Sequence, residues 1–369
     1  ARMRARGIDC DDAAPVVTAG SQQGLDLVAR ALLDDGDAVV VERPSYLAAL
    51  QVFGLARPRW ASIGVDADGA CVHELDATCA GLRPRLVYVV PDFANPSGAT
   101  MSLARREALV RWAARREVTV LEDDPYGALR TRGTVLPPLA AIARTVPGAS
   151  RWIAHASTLS KTVAPGLRVG WLLLPPWLRD AVVRLKQAAD LHTASLSQAT
   201  AVHYLASGRL EDRLDLVRAE YARRRDALVG ALVEAFGDRL AMQVPDGGMF
   251  VWARFVDGTD TRALLEPAIA RGEQPGRVLA PVVIARPRHH AGASFGDQPI
   301  ERVGRLARRR RLVGRVAQRV LQDRQAGEIG LRHDRHDRDP QRQPMHHGGV
   351  DLLGRRDALL DHTPLAMAA

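Results

Sequence analysis

The segment Thr158-Leu159-Ser160-Lys161-Thr162-Val163-Ala164-Pro165-Gly166-Leu167-Arg168 sets a lysine among hydroxyls, with an arginine seven residues on. A lysine amine can form a Schiff base with an aldehyde cofactor, and the hydroxyls and guanidinium can hold a phosphate. Glu122-Asp123-Asp124-Pro125-Tyr126 places acids at the end of another apolar run. An acid there can hold a protonated pyridine nitrogen, which makes the ring an electron sink. Pro91-Asp92-Phe93-Ala94-Asn95-Pro96-Ser97-Gly98 is a rigid turn presenting an amide, and Asn95 before Pro96 also suits a plain turn. Ala19-Gly20-Ser21-Gln22-Gln23-Gly24 opens a helix, either as an anion site or as an ordinary polar start.

The elements that must position these residues follow from hydrophobic patterning. Short apolar runs at Asp37–Val41, Leu86–Val90, Val118–Leu121, Trp152–Ala156 and Val169–Leu174 lack polar alternation, as strands buried on both faces do. Longer amphipathic runs lie between them. Gly24–Leu33 reads as a helix. Ser102 is expected to cap another through Glu117, with Leu109, Val110, Ala113 and Ala114 on one face and Arg105, Arg106, Arg115 and Arg116 on the other. This alternation predicts an α/β fold, a doubly wound and mostly parallel sheet in three layers (α/β/α), with a second, smaller α/β domain. Candidate ligands then sit at the carboxyl ends of strands.

The four chemical segments, in this order and followed by Pro245-Asp246-Gly247-Gly248-Met249-Phe250-Val251-Trp252, resemble a fold-type I pyridoxal-phosphate enzyme of the class I and II aminotransferase family. The nearest likeness is to the subgroup of 2-aminoadipate and kynurenine aminotransferases and the aminotransferase-like domain of MocR-type regulators. It covers residues 1–272. The resemblance implies transamination between an L-amino acid and a 2-oxo acid in a homodimer, with pyridoxal 5'-phosphate as cofactor; a cytoplasmic location is expected from the cysteine usage. It makes Lys161 the Schiff-base lysine and proton shuttle. Asp123 would pair with the pyridine nitrogen, and Tyr126 and Asn95 with the ring hydroxyl. Ser21, Gln22, Thr158 and Arg168 would form the phosphate cup, and Tyr46 would stack on the ring or simply pack in the core. The alternatives are an effector-sensing domain of a MocR-type regulator and an inactive, degenerate homologue.

The expected organisation is a large cofactor-binding domain over 1–176 without the family's N-terminal arm, a helical connection over 177–236 broken at Ser207-Gly208, and a small domain over 237–303. A disordered Arg/His-rich tail over 304–369 completes it. The family's substrate-carboxylate arginine lies late, in an Arg-Leu-Ser-Phe-like strand. If Ser294-Phe295 marks that strand, Gly292 takes the arginine's place, and Arg286 and Arg288 lie nearby. The altered pattern after 272 points to a change of reading frame in the gene, which resequencing would test. A regulator's DNA-binding module would precede residue 1, and contact with nucleic acid is expected only through such a module.

Composition narrows the remaining classes. Of the net charge of +9, residues 301–369 supply +6 through 15 arginines against 9 acids, so the basic character belongs to the tail. No run is long and apolar enough for a membrane helix, and no apolar signal core follows the N-terminal Arg-rich stretch. Cys10, Cys71 and Cys79 lack metal spacing and read as reduced thiols. The His/Asp/Arg alternation of 332–339 lacks a packed scaffold, so no metal site is expected there. Lys161 and Lys186 are the only lysines among 51 basic residues, which makes each a position to explain. His155 is expected to be core or loop filler.

Overall fold

Val-, Ile- and Leu-rich runs form strands because branched side chains suit a pleated surface covered on both faces. The computed structural model of the chain, which describes residues 2–8, 15–261, 263 and 282–285, joins them into one sheet. Its strands are β1 (Val16–Thr18), β2 (Ala38–Arg43), β3 (Arg59–Asp66), β4 (Gly69–Ala70), β5 (Pro84–Val89), β6 (Thr119–Asp123), β7 (Ile153–Thr158) and β8 (Gly170–Leu173). They lie in the order β1-β8-β7-β6-β5-β2-β3-β4. The neighbours from β3 through β7 pair in parallel, while β8, β1 and β4 pair antiparallel at the margins.

Strand periodicity sorts the core into two layers. Val39, Val41, Leu86 and Tyr88 pack with Leu25, Leu27 and Val28 of α2 (Ser21–Leu32) and with Leu210 and Leu214 of α9 (Leu210–Phe236). Val40, Val87 and Val89 face the other way, toward Leu109, Val110 and Ala113 of α5 (Leu103–Arg116). Shorter helices α1 (Arg2–Ala5), α3 (Leu47–Gly54), α4 (Leu75–Thr78) and α6 (Leu139–Ile142) complete the layers. From β2 the chain winds outward to β3, then re-enters beyond β2 as β5 and continues through β6 and β7. The reversal between β2 and β5 opens a crevice outside the carboxyl ends of the strands.

Helices α7 (Pro176–Asp190), α8 (Ser195–Ala206) and α9 lead to a second sheet. It contains β9 (Leu240–Met242), β10 (Val251–Phe255) and β11 (Val282–Ala285) in the order β11-β10-β9. Apart from β11, the altered pattern after 272 and the tail 304–369 lie outside the described residues.

Several expectations need correction. α2 begins at Ser21 rather than Gly24, because Gly20 takes the N-cap position with φ of 78° and frees the polar residues to form the first turn. Ser102 precedes α5, but its hydroxyl makes no cap bond; its carbonyl accepts the Arg106 N–H at 3.0 Å. Arg106 is not on a solvated face: it is fully buried, donating to Asp92 and to the carbonyls of Met101, Pro91 and Pro137. The helical connection breaks between Asp190 and Ser195 as well as at Ser207-Gly208, with Leu191 at φ of 59°.

Candidate active site

Each chemical segment ends a strand or begins a helix at the crevice. Ser21 and Gln22 open α2 just after β1, and Tyr46 follows β2. Asn95 lies in the turn after β5, Asp123 ends β6 with Tyr126 three residues on, and Thr158 ends β7 ahead of Lys161 and Arg168. All of these line one cleft. Tyr88, Val90, Pro125 and Ser160 line it too, and sequence reasoning did not assign them to the site. Ser160 had a signal, as a hydroxyl beside the lysine; Tyr88 had none, because an aromatic within an apolar strand reads as core.

The acids of Glu122-Asp123-Asp124 separate by strand alternation. Glu122 accepts the N–H groups of Leu139 and Ala140 at 2.8 and 3.1 Å and meets His155 Nδ1 at 2.9 Å, all away from the cleft. His155 lies in the core, as expected, and its partner there is Glu122. Asp124 pairs with Arg6 and accepts the Gly127 N–H at 3.0 Å. Asp123 alone lines the cleft. Burial pushes its carboxyl up to about 6, and the charge of Asp124 adds to this, against the Tyr88 hydrogen bond and the charges of His155 and Lys161. One of its oxygens, Oδ1, is buried with no hydrogen-bond partner among the described residues.

At the other end of the cleft the groups are donors. Arg168 donates to Ser160 Oγ at 3.2 Å and to the Ala19 carbonyl at 3.2 Å, beside the first turn of α2. Thr158 is more occupied: its hydroxyl lies 3.0 Å from the Val169 carbonyl and accepts the Ser160 N–H at 3.1 Å. Gly20 is favoured here by its φ of 78°, a backbone conformation that L side chains rarely adopt, and it lies against the Arg168 guanidinium. A Cβ at Gly170 would come within 2.6 Å of the Gly20 carbonyl carbon. Lys186, the second lysine, is buried and donates to Asp190 at 2.8 Å and to Gln23 at 3.2 Å, so it braces this helix start from α7.

Lys161 makes no hydrogen bond or ion pair among the described residues, leaving its amine available. Asn95 and Tyr126 line the cleft together, and the Tyr126 hydroxyl is raised by burial and by the charge of Asp123. The Tyr126 ring meets Phe250 edge-on, with centroids 5.5 Å apart. Tyr46 is half-buried, its hydroxyl raised by burial and by Asp123. An anion site, a free amine and a bare carboxylate oxygen fit a group with a phosphate, an aldehyde and a ring nitrogen. Gly292, Arg286, Arg288 and Ser294-Phe295 lie outside the described residues.

Residues 3–270 match the sequence pattern of aminotransferase class I and II. The chain is 37% identical over 267 residues to aromatic-amino-acid aminotransferase 1 of Thermococcus litoralis, covering 70% of this chain and 62% of that protein. It is similar to the crystal structure of Pyrococcus horikoshii kynurenine aminotransferase, with a TM-score of 0.69 and 37% identity, covering 75% of this chain and 69% of that one. A helix-turn-helix transcriptional regulator of Bacillus subtilis, YisV, is 31% identical over 253 residues, covering 69% of this chain and 51% of the regulator. The chain thus spans less than two thirds of the aromatic-amino-acid aminotransferase.

Proposed function

The chain belongs to the class I and II aminotransferase family, and we propose that it transfers an amino group between an L-amino acid and a 2-oxo acid with pyridoxal 5'-phosphate as cofactor. The observation that carries this is the convergence of an unpaired lysine amine, a half-partnered buried acid and a donor-rich helix start in one cleft. When bound, pyridoxal phosphate supplies an aldehyde that condenses with amines and a ring that accepts the electrons freed by loss of a proton.

The residues divide that work. Arg168, Ser160 and the first turn of α2, with Ser21 and Gln22, hold the phosphate by charge-assisted hydrogen bonds. Thr158 acts mainly by holding Ser160. Asp123 Oδ1 accepts the ring N–H, and its charge keeps that nitrogen protonated. Tyr126 and Asn95 hold the ring hydroxyl, and Tyr46 covers one ring face. Lys161 Nζ would take the proton from the amino acid's Cα and deliver it to the carbon derived from the cofactor's aldehyde, and would carry it the opposite way in the reverse half-reaction.

A homodimer is part of the proposal. It is supported by Val202 and Leu205, which are exposed beside an apolar groove formed with Val17, Val169 and Trp171. Cytoplasmic residence is supported by the free thiols of Cys71 and Cys79. Among the described residues, no helix is long and apolar enough to cross a membrane.

The likeness to the Bacillus regulator supports a second reading, an effector-sensing domain that binds the cofactor without turnover. Incubating the pyridoxal-phosphate-loaded chain with an amino-acid pool and pyruvate separates the two. Formation of new 2-oxo acids supports the enzyme; a bound cofactor with no 2-oxo acid formed supports the sensor.

A further inference from the structure

Tyr88 lies in the cleft but has no part in the chemistry above. It sits on β5, fully buried, with its ring edge-on to Phe53 at a centroid distance of 5.4 Å. Its neighbour on β6, Asp123, has a carboxylate split between two environments. Oδ2 accepts the Tyr88 hydroxyl at 2.8 Å, while Oδ1 is buried and bare. Register explains the meeting: Tyr88 is level with Leu121, and Asp123, two residues on, shares Leu121's face of the sheet.

A core tyrosine often satisfies its hydroxyl on the nearest acceptor, usually a carbonyl. Here the acceptor is the only acid of the cleft, and Tyr88 is its only hydrogen-bond donor among the described residues. A donor fixed on one oxygen sets the plane of the carboxylate and favours its charged form. The phenol stays protonated, because burial and the Asp123 charge hold it well above its ordinary range. The other groups acting on or near Asp123 are Asp124 just past the end of β6, His155 on β7, Lys161 beyond it, Tyr46, Tyr126, and Glu42 on β2. Glu42 is raised to about 8, chiefly by burial.

We propose that Tyr88 is a positioning residue whose hydroxyl pins Asp123 Oδ2, so that Oδ1 alone is presented to the cofactor's ring nitrogen. The inference rests on the reading of Asp123 as the acceptor of that nitrogen.

Tyr88→Phe removes only the hydroxyl. In the cofactor-free chain, the Asp123 carboxyl can be followed by carbon-13 NMR and identified by its loss in Asp123→Asn. Its proton affinity is expected to rise roughly tenfold, the order of one hydrogen bond to a charged group. Binding is then compared for pyridoxal phosphate and for its 1-deaza analogue, which carries CH in place of the ring nitrogen. Tyr88→Phe should raise the Kd of pyridoxal phosphate by roughly tenfold and that of the analogue by less than about twofold. Equal losses for both, or an unmoved Asp123 titration, would overturn the proposal. Should Tyr88→Phe not fold, the unsubstituted chain decides: the Tyr88 hydroxyl proton must shift as Asp123 titrates, and a signal that ignores the titration overturns it. An Asp123→Asn chain with full affinity for pyridoxal phosphate overturns the ring-nitrogen reading instead. The free-chain titration still shows whether Tyr88 governs Asp123.

Discussion

Arg106 donates to both carboxylate oxygens of Asp92, at 2.8 and 3.3 Å, with 0% and 5% of the two side chains exposed. Asp92 also meets Arg130 at 3.1 Å, and Arg106 ties down the Pro91 and Met101 carbonyls on either side of the turn that carries Asn95. The pair therefore links the packing of α5 to the shape of the cleft. Removing one partner of a buried ion pair leaves a buried charge poorly compensated, at about 3–5 kcal/mol. Arg106→Met is expected to lose roughly 3 kcal/mol in urea unfolding, since Arg130 remains. A loss under about 1 kcal/mol would contradict this account.

Among the described residues, Arg168 is the one guanidinium lining the cleft. Arg168→Leu should raise the Kd for pyridoxal phosphate by roughly 10- to 100-fold, as for loss of one or two charge-assisted hydrogen bonds. Competition by inorganic phosphate should weaken with it. Quenching of tryptophan fluorescence measures both, and an unchanged Kd would place the phosphate elsewhere.

The Asp123 carboxyl, raised to about 6 by burial, gives cofactor binding a pH dependence of definite sign. A protonated ring nitrogen is attracted to the ionised acid, so affinity should fall as pH drops below about 6, approaching tenfold per unit. The cofactor's phosphate also gains a proton near there. The informative quantity is therefore the difference between the unsubstituted chain and Asp123→Asn, measured from pH 8 to 5. Parallel curves would remove Asp123 from the ring nitrogen.

Glu122 and His155 form a fully buried pair that contributes stability within a pH window. Burial alone lowers the imidazole, but the charge and hydrogen bond of Glu122 and the charge of Asp124 outweigh it and raise His155 above 6.5. Burial likewise raises Glu122, but His155 and the Leu139 N–H outweigh it and hold the acid below 4.5. The His155 contribution is complete below pH 6.5 and is lost as pH rises through its folded value. That of Glu122 is complete above pH 4.5 and is lost as pH falls through its folded value. His155→Gln should therefore cost most stability between these limits, about 3 kcal/mol, and progressively less at alkaline pH. A cost that stays constant from pH 5 to 9 would show that folding leaves the imidazole's proton affinity unchanged, and would contradict this account.

The central strands were legible because Val-, Ile- and Leu-rich runs have few other solutions at that length. The margins were not. β1 is three residues long, and β3 carries exposed residues at Arg59 and Trp60 that blur its apolar pattern. Arg106 was misplaced because helical spacing says which residues share a face, while a buried acid on another segment decides whether a charge can go inside. The break after Asp190 contains no glycine or proline to announce it. The assigned cleft residues were legible through segment order, and the fold brings them together. Tyr88 depended on strand register, which no local spacing encodes.

The most direct test of the proposed chemistry is the visible absorption of the purified chain with pyridoxal phosphate, before and after an amino-acid pool, beside Lys161→Ala. The account predicts a protein-bound band that amino acids bleach and that Lys161→Ala lacks or displaces, with the half-reaction slowed by at least about 10²–10⁴-fold. A band identical in both proteins, or none in either, would contradict the assignment of Lys161 and the aminotransferase reading with it.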